Sequence, residues 1–421
     1  MTGSVIGNVH EPICYSEGVQ IRYRYRAYPT LGQEQMLART FGCARVVYND
    51  ALRTRQDAHA AGQKVSDTEV QRRVVTLAKT TPERAWLGEV ASVALVQACQ
   101  DARRAYRNWF DSLSGKRKGR KVGYPRFRSR KNNRQSIRFT RNGFGVTLRG
   151  VRLAKVTGDI KLAWSRELPS VPSSVTVIRE ADGRYYASFV VETEPTPLLA
   201  TPHDVGVDLG LDRLAVTSDG EIVTNPRHLR SRQRRLACTQ RSMARKRKGS
   251  VNRRKAMMRV AVNHRKVREA RLDAHHKIAL RLVRDNQAVY VEDLAVSGLA
   301  RTRLAKSVYD AGWSTLVRLI EEKAVRYGRQ VVKVGRWFPS SRLCSACGHN
   351  SGAKPLDVRS WVCAGCGIEH DRDLNAARNI LVEGRRIAAG LAEIGNACGA
   401  GVRPGFVPAV GIEAGTHRGA A

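Results

Sequence analysis

Two Cys-x-x-Cys pairs constrain the fold of this chain more than any other feature of its sequence. Cys344 and Cys347 form one pair, Cys363 and Cys366 form the other, and fifteen residues separate them. Each pair predicts a turn that presents two thiolates, so the two turns together provide a tetrahedral four-sulfur site. Such a site has no open position, and we therefore predict a structural zinc ion that stabilises a region too small to fold alone. Iron in a rubredoxin-like site uses the same ligands, so the spacing leaves both metals open.

The overall charge indicates a polyanionic partner. The 421 residues include 74 Lys and Arg against 37 Asp and Glu, a formal net charge of +37. A charge of this size makes nucleic acid the first hypothesis for the partner. A ribosomal-type basic protein and a basic membrane-surface protein are the alternatives.

The sequence also predicts where the protein works. It has no run of about 18 uncharged apolar residues, which predicts that no segment spans a membrane. Residues 1–11 lack the basic and then apolar pattern of a secretory signal. Paired cysteines without an export signal are typical of reduced, metal-binding thiols, so we expect a cytoplasmic protein.

Two stretches concentrate the positive charge. Residues 115–141 contain twelve Lys and Arg and no acid, with aromatic side chains such as Phe127 interleaved. Because bases stack on aromatic rings while cations neutralise phosphates, this pattern favours a nucleic-acid contact over a solvated loop. Residues 227–271 contain eighteen Lys and Arg and one acid. We interpret this second stretch as one basic helix that lines a groove for a duplex, since charge of one sign repels itself unless phosphates neutralise it.

The periodicity of the apolar residues predicts a multidomain α+β protein. A strand ending near Tyr28 precedes three helices, the first to about Ala60, the second opened by a capping box at Ser66 and the third from about Pro82 to Leu113. Short alternating runs then predict a small antiparallel β domain or barrel that the first strand joins, with the helices as an insertion. An α/β pattern follows the proline-containing linker at 195–197. The predicted domains are β at 1–29 and 136–195, helical at 30–135, α/β at 200–340 and 368–383, metal-binding at 341–367, and a disordered tail at 384–421.

Three carboxylates stand at the ends of predicted elements. Alternation along 205–210 places Asp208 on a strand face that two glycines leave open, Glu292 ends a second apolar strand, and Asp373 opens a helix. Oxygen ligands of this kind suit Mg²⁺, and two ions about 3.5–4 Å apart can activate water and stabilise the leaving oxygen in phosphodiester cleavage. We therefore predict that these three acids hold a two-ion Mg²⁺ site.

These motifs, in this order, resemble a split RuvC-like nuclease of the TnpB (OrfB) family of insertion-sequence proteins, which are relatives of the type V CRISPR effectors. The resemblance covers about residues 25–381 and is most specific in the C-terminal half. The motifs that carry it are VGVDLG at 205–210, YVEDL at 290–294, the four-cysteine knuckle, DRDLNAA at 371–377, CARVVYN at 43–49 and YPRF at 124–127.

The resemblance implies a fold and an activity. It implies an N-terminal β-barrel (wedge) domain with an inserted helical recognition domain, then an RNase H-like α/β nuclease domain interrupted by a zinc ribbon. It implies an RNA-guided DNA endonuclease of a mobile element, whose partners are a transposon-derived guide RNA and target double-stranded DNA that carries a short transposon-adjacent motif. Base pairing would select the target, while the protein reads backbone shape and that motif. We expect a prokaryotic protein that acts as a monomer bound to its RNA.

By position, Asp208, Glu292 and Asp373 fall on the catalytic acids of that family, and Asp371 is the weaker candidate of its pair. A cleavage-inactive RNA-guided repressor and a transposase that transfers strands itself remain as alternatives. The candidate nucleic-acid-binding residues are Arg45, Tyr48, Asn49, Lys116, Lys118, Arg126, Phe127, Arg128, Arg245, Lys246, Arg247, Arg253 and Arg254.

Overall fold

The computed structural model describes residues 18–117, 119–131, 134–355 and 357–397, with side chains as far as residue 391. The described chain forms two compact units, one of residues 18–193 and one that begins at residue 194. No helix within these described ranges is both long enough and apolar enough to cross a membrane.

The first unit is built on a seven-stranded antiparallel sheet. Its opening strand β1 is central and pairs with both β5 and β7, as the sequence predicted for a strand that joins the later ones. The strand order is β2-β6-β7-β1-β5-β4-β3, and in the described residues the outer strands β2 and β3 do not pair, so the sheet is a curled half-barrel rather than a closed barrel. The strands are β1 (Val19–Tyr28), β2 (Gln135–Thr140), β3 (Phe144–Val146), β4 (Gly150–Leu153), β5 (Asp159–Ala163), β6 (Ser174–Arg179) and β7 (Tyr185–Thr193).

Helices α1 (Leu31–Ala60), α2 (Asp67–Gln71) and α3 (Ser92–Leu113) pack on this sheet. The predicted capping box at Ser66 is half present, since its Oγ accepts the Glu69 N–H at 3.1 Å. The third helix begins later than predicted. Residues 85–89 form a 3-10 turn instead. Leu87 in this turn and Val90 just after it are both buried in the core. Their spacing of three residues fits a 3-10 turn as well as a helix face, so the pattern alone did not distinguish the two.

The second unit contains a five-stranded mixed sheet of order β10-β9-β8-β11-β12. Its strands are β8 (Asp204–Asp208), β9 (Arg213–Thr217), β10 (Ile222–Thr224), β11 (Ala288–Glu292) and β12 (Gln330–Val334). Strands β8, β11 and β12 are parallel to one another, whereas β9 and β10 form an antiparallel hairpin. The core of this unit packs helices on the buried valines of β8 and β11.

The basic stretch forms two helices and not the single helix predicted. Helix α4 (His228–Ala244) ends before residue 245, and α5 (Val251–Asp285) begins after Ser250, whose hydroxyl accepts the Arg253 N–H at 3.1 Å. The reason is local: a serine N-cap starts a new helix where the first one stops. The two helices pack against each other, so the cationic stretch is a helical hairpin.

Among the described residues this unit has four further helices, namely α6 (Val296–Leu299), α7 (Ala305–Ala311), α8 (Trp313–Tyr327) and α9 (Arg372–Ala397). Helix α9 continues past Gly384, where the sequence predicted a disordered tail. The glycine has a packing role, since a Cβ there would lie 2.3 Å from the Tyr290 ring, and its absence lets α9 approach β11. Residues 398–421 of the predicted tail lie outside the described residues.

Candidate active site and metal centre

Asp208 and Glu292 end two adjacent parallel strands. The register pairs Val207 of β8 with Val291 of β11, so the next residue of each strand, Asp208 and Glu292, stands opposite the other. Residues that stand opposite each other on neighbouring strands project from the same face of a sheet. The two carboxylates therefore share one face and one edge.

Helix α9 crosses the same face. A Cβ on Gly206 would lie 2.2 Å from the Ala377 carbonyl oxygen, which shows how closely the helix approaches β8. Arg385, further along α9, pairs with Asp204 at the start of β8 at 3.1 Å. The helix thus runs antiparallel to the strand, and Asp373, one turn before Ala377, lies at the strand end that carries Asp208.

The three acids lie near enough for their charges to influence one another. Burial raises the pKa of Asp208 well above its usual value, and the neighbouring charges of Glu292 and Asp373 raise it further. Burial also raises the pKa of Glu292, while a hydrogen bond donated by the Ser340 hydroxyl acts in the opposite direction. Three carboxylates in such surroundings repel one another unless a cation compensates their charge.

The three carboxylates are less tightly grouped than the four cysteines. Within the described part of the chain, the cysteines are the only three or more His, Cys, Asp or Glu side chains whose ligand atoms all lie within 4.8 Å of one another. At least one distance among the three carboxylates is therefore longer than that.

Asp371 caps α9. Its Oδ1 accepts the N–H groups of Asp373 and Leu374, each at 3.0 Å, and Arg213 donates to its Oδ2 at 2.8 Å. Although partial burial acts to raise the pKa of Asp371, these donors lower it below its usual value. Its oxygens are thus engaged in holding the start of the helix, in agreement with its lower rank in the sequence analysis.

Two arginines that the sequence analysis missed surround Asp373. Arg359 donates to Asp373 Oδ1 at 3.3 Å, and Arg213 Nη1 lies 3.6 Å from Oδ2. Arg359 also pairs with Asp212. In a chain with 74 cationic residues nothing in the sequence marks these two, since only the fold brings them to the acids.

Two buried asparagines of α9 hold the loop that follows β12. Asn379 donates to the carbonyl oxygens of Ser340 and Leu343, each at 2.8 Å. Asn375 donates to Leu343 O at 2.7 Å and accepts the Ser345 N–H at 2.8 Å. Their spacing of four residues, on a helix face otherwise lined by Ala376 and Ile380, was the signal available in the sequence.

The four cysteines form the cluster that their spacing predicted. Cys344 Sγ lies 3.7 Å from Cys366 Sγ, and Cys347 Sγ lies 3.7 Å from Cys363 Sγ. The two turns have the same hydrogen bond. Gly348 N–H donates to Cys344 O at 2.9 Å, and Gly367 N–H donates to Cys363 O at 2.8 Å. Four sulfur atoms at such spacing fit one tetrahedral ion, so the donor set suits zinc.

The surroundings of the cluster are partly aromatic. The strands β13 (Ser360–Val362) and β14 (Glu369–Asp371) pair beside it. His370 of β14 is buried, with Nε2 3.0 Å from Cys344 Sγ and its ring 4.9 Å from that of Trp361. A histidine ring nitrogen within hydrogen-bond distance of a cysteine sulfur is the kind of outer contact that orients metal ligands.

Several candidate nucleic-acid-binding residues of the first unit contact one another. Tyr48 is buried in the core, and the Arg128 guanidinium lies 3.8 Å from the centre of its ring. Asn49 accepts the Arg128 N–H at 2.7 Å and donates to the Arg128 carbonyl at 3.1 Å. These contacts fasten the basic loop to α1. Among the other candidates, Arg45 is half-buried, Lys116, Arg126 and Phe127 are exposed, and Lys118 lies outside the described residues.

Some candidates of the basic hairpin make internal contacts, and others are exposed. Arg253 donates to the carbonyl oxygens of Met243 at 3.0 Å and Lys246 at 2.9 Å, so its guanidinium satisfies the end of α4. Lys246 is half-buried. The exposed candidates of the hairpin are Arg245, Arg247 and Arg254.

Comparison with known proteins places this chain in one class, the transposon-encoded proteins related to the small CRISPR effectors. Residues 188–303 match the OrfB IS605 family model, described as "Probable transposase", residues 313–380 match the Cas12f1-like TNB domain, and residues 19–64 match the OrfB IS605 helix-turn-helix domain. The chain is 43% identical over 92% of its length, and 92% of the relative's, to a Streptomyces pristinaespiralis protein named as an RNA-guided DNA endonuclease. It is 29% identical to InsQ of Escherichia coli K12, which has the same descriptive name, with 87% of this chain and 93% of that one covered. The chain therefore belongs to the TnpB (OrfB) family.

A solved structure shows the same fold. The structure titled "Cryo-EM structure of the Cas12f1-sgRNA-target DNA complex" superposes with a TM-score of 0.54 over 86% of this chain and 98% of that one. The sequence identity is 12%, so this likeness concerns the fold alone.

Proposed function

We propose that this protein is an RNA-guided DNA endonuclease of an insertion sequence, with Asp208, Glu292 and Asp373 as its catalytic acids. The relatives from Streptomyces pristinaespiralis and Escherichia coli K12 are both named as RNA-guided DNA endonucleases. The observation that carries the assignment of the site is the convergence of the three acids at one end of β8 and β11, where burial and then the charges of Glu292 and Asp373 raise the pKa of Asp208. Perturbed carboxylates grouped at one edge of a sheet are typical of a catalytic centre.

The three acids suit a two-ion Mg²⁺ site of the RuvC-like type. Mg²⁺ ions bound there would supply Lewis acidity and an activated water for in-line cleavage of a phosphodiester. Carboxylates shared between two ions need not all lie within bonding distance of one ion, which agrees with their wider grouping. Because the pKa of Asp208 is raised, protons compete with cations for its carboxyl group, so the affinity of the site for cations should increase with pH.

The cationic groups beside the acids suit a bound phosphate. Asp373 stands in the first turn of α9, where the peptide N–H groups and the helix dipole favour negative charge. Arg213 and Arg359 both lie within 4 Å of Asp373 and can donate to a phosphate in the same place. Because Asp371 and Arg213 fix the start of α9, the position of Asp373 is determined before any substrate binds.

The partners that we propose are a transposon-derived guide RNA and target double-stranded DNA with a short transposon-adjacent motif. The net charge of +37 and the exposed arginines of the helical hairpin α4–α5 support them, since a guide and its heteroduplex bring many phosphates. Base pairing would then select the target. We propose that one copy of the chain binds one RNA in the cytoplasm of a prokaryote, with the half-barrel and its helices as the wedge and recognition domains.

The four-cysteine cluster supports a structural zinc ion in this proposal. Its four thiols leave no position for substrate, and the cluster is linked to α9 through the buried asparagines Asn375 and Asn379. A bound ion would fix the loop that carries Ser340, and Ser340 in turn donates to Glu292. The proposed role of the metal is therefore to orient the site rather than to react.

Purified protein with its co-purified, sequenced RNA tests this proposal. With Mg²⁺, the complex should cut a plasmid that contains the sequence matching the guide, and D208A should bind RNA and not cut. A wild-type complex that binds target and never cuts would identify a repressor. Strand-transfer products from RNA-free protein would identify a transposase. Either result would overturn the proposed function.

A further inference from the structure

The side chain of Trp337 is 90% exposed, which is unusual for the largest apolar residue. It lies in a turn after β12, in which Phe338 N–H donates to Gly335 O at 2.9 Å. The next residue, Phe338, packs on the core with Ile380. The turn therefore directs one aromatic side chain into the protein and its neighbour out into solvent.

The turn is anchored at both ends to the edge of the sheet that carries the proposed catalytic acids. On one side, Arg336 donates to Asp293, the residue after Glu292, at 3.1 Å. On the other side, the Ser340 hydroxyl donates to Glu292 itself. Trp337 lies between these anchors, and since three residues of chain span at most about 11 Å, its Cα is no farther than that from the Cα of Ser340.

Two cationic residues flank Trp337 along the chain. Arg336, which pairs with Asp293, precedes it, and the exposed Arg342 follows within five residues. An aromatic ring in solvent beside cationic groups is the combination that binds single-stranded nucleic acid, because bases stack on the ring while the cations attract the phosphates. Stacking of this kind accepts any base, as an enzyme that cuts many targets requires.

We propose that Trp337 is a stacking platform for a nucleobase of the DNA strand that enters the acidic site. This inference rests on the proposed function and adds a positioning residue to it. Through Ser340 and Glu292 the platform is linked to the acids by a short stretch of chain, which places it a few stacked nucleotides, at about 3.4 Å each, from the phosphate to be cut. Stacking there would hold the strand in line with the three carboxylates, which is the geometric requirement of the reaction.

The test compares guide complexes of the wild type, W337A, W337F and L199A. Leu199 is the matched control, since its side chain is 92% exposed and it precedes β8 in the same unit. In single-turnover cleavage, W337A should be roughly 10- to 100-fold slower with unchanged target binding, as expected for the loss of one stacked base. W337F should retain most of the rate, and L199A all of it. Equal melting temperatures would show that the fold is intact.

A second readout follows stacking without cleavage. In a D208N complex, 2-aminopurine placed at successive positions beside the cut site should be quenched at one position, and the quenching should disappear in D208N/W337A. Unchanged quenching, or W337A cutting at the wild-type rate, would overturn the inference while leaving the nuclease proposal intact. A W337A complex that sediments as a smaller species, with quenching unchanged, would assign Trp337 to a contact between copies instead. A wild-type complex that never cuts would overturn the proposed function, and the quenching would still decide whether Trp337 stacks on the strand.

Discussion

Asp208 stands directly opposite Glu292 at the ends of two neighbouring parallel strands, one residue beyond the last registered pair. Their negative charges repel each other in partly buried surroundings, and Asp373 adds a third negative charge. The arrangement is costly without a bound cation and becomes favourable when one binds. This relationship gives the first prediction.

D208N should abolish cleavage and yet stabilise the magnesium-free protein. Because the pKa of Asp208 is raised in the folded state, the folded protein holds this proton more tightly than the unfolded chain does. Stability is therefore lost as pH rises from the ordinary value near 3.8 to the raised one, and D208N removes that loss. Melting temperatures in magnesium-free buffer should favour D208N more at pH 8 than at pH 4. D273N, which changes an exposed acid, should show no such trend.

R359A should slow cleavage by roughly 100-fold, the cost typical of one donor that stabilises charge in the transition state. The same substitution removes a cation that competes for Asp373, so the Mg²⁺ concentration needed for half-maximal rate should fall. Titration of the single-turnover rate with Mg²⁺ measures both effects. R318A removes a surface pair with Glu322 and should change neither. An R359A protein with the wild-type rate would exclude a role for this guanidinium.

C344S should lose the metal ion and melt at a lower temperature. Three thiols and a hydroxyl bind zinc far more weakly than four thiols do, and the region has little core of its own. Elemental analysis should find one zinc per wild-type chain and close to none in C344S, while C238S, at an exposed cysteine away from the cluster, keeps its ion. Iron in the wild-type protein would contradict zinc and retain the four-sulfur site.

N375A should destabilise the protein by about 1–3 kcal/mol, the cost of leaving buried polar groups without partners. It should also slow cleavage, because the loop held by Asn375 continues from Ser340, which donates to Glu292. N375D is the sharper variant, since a carboxylate still accepts the Ser345 N–H and cannot donate to Leu343 O. Denaturant unfolding and single-turnover rates should rank wild type above both variants. Equal stability of all three would remove the proposed link.

The neighbours Arg253 and Arg254 should respond differently to substitution. Exposed Arg254 can neutralise a phosphate, so R254A should lower the dependence of log affinity for RNA on log salt by about one unit of slope. The Arg253 guanidinium donates to carbonyl oxygens at the end of α4, so R253A should lower the melting temperature instead. Fluorescence anisotropy at several salt concentrations separates the two. A salt profile that is flat for the wild type would mean that the hairpin does not bind the RNA backbone.

Local patterns were sufficient to predict some elements and not others. Alternation along β8 predicted the face on which Asp208 lies, because a strand fixes side-chain direction at every second residue. The spacing of the cysteines predicted their cluster because each Cys-x-x-Cys turn presents two thiols on one side. Arg359 and Ser340 could not be found this way, since they reach the acids only after distant segments pack together. Gly384 misled the prediction of a tail, because its reason is the ring of Tyr290, ninety-four residues earlier.

Helix α9 connects the acidic site with the cysteine cluster. Its first turn carries Asp373, and Asn375 and Asn379 hydrogen-bond to the loop that carries the first cysteine pair. A chain without bound zinc would keep all three acids and lose the loop contacts that orient them. The supply of zinc in the cell would then determine whether the enzyme can cut.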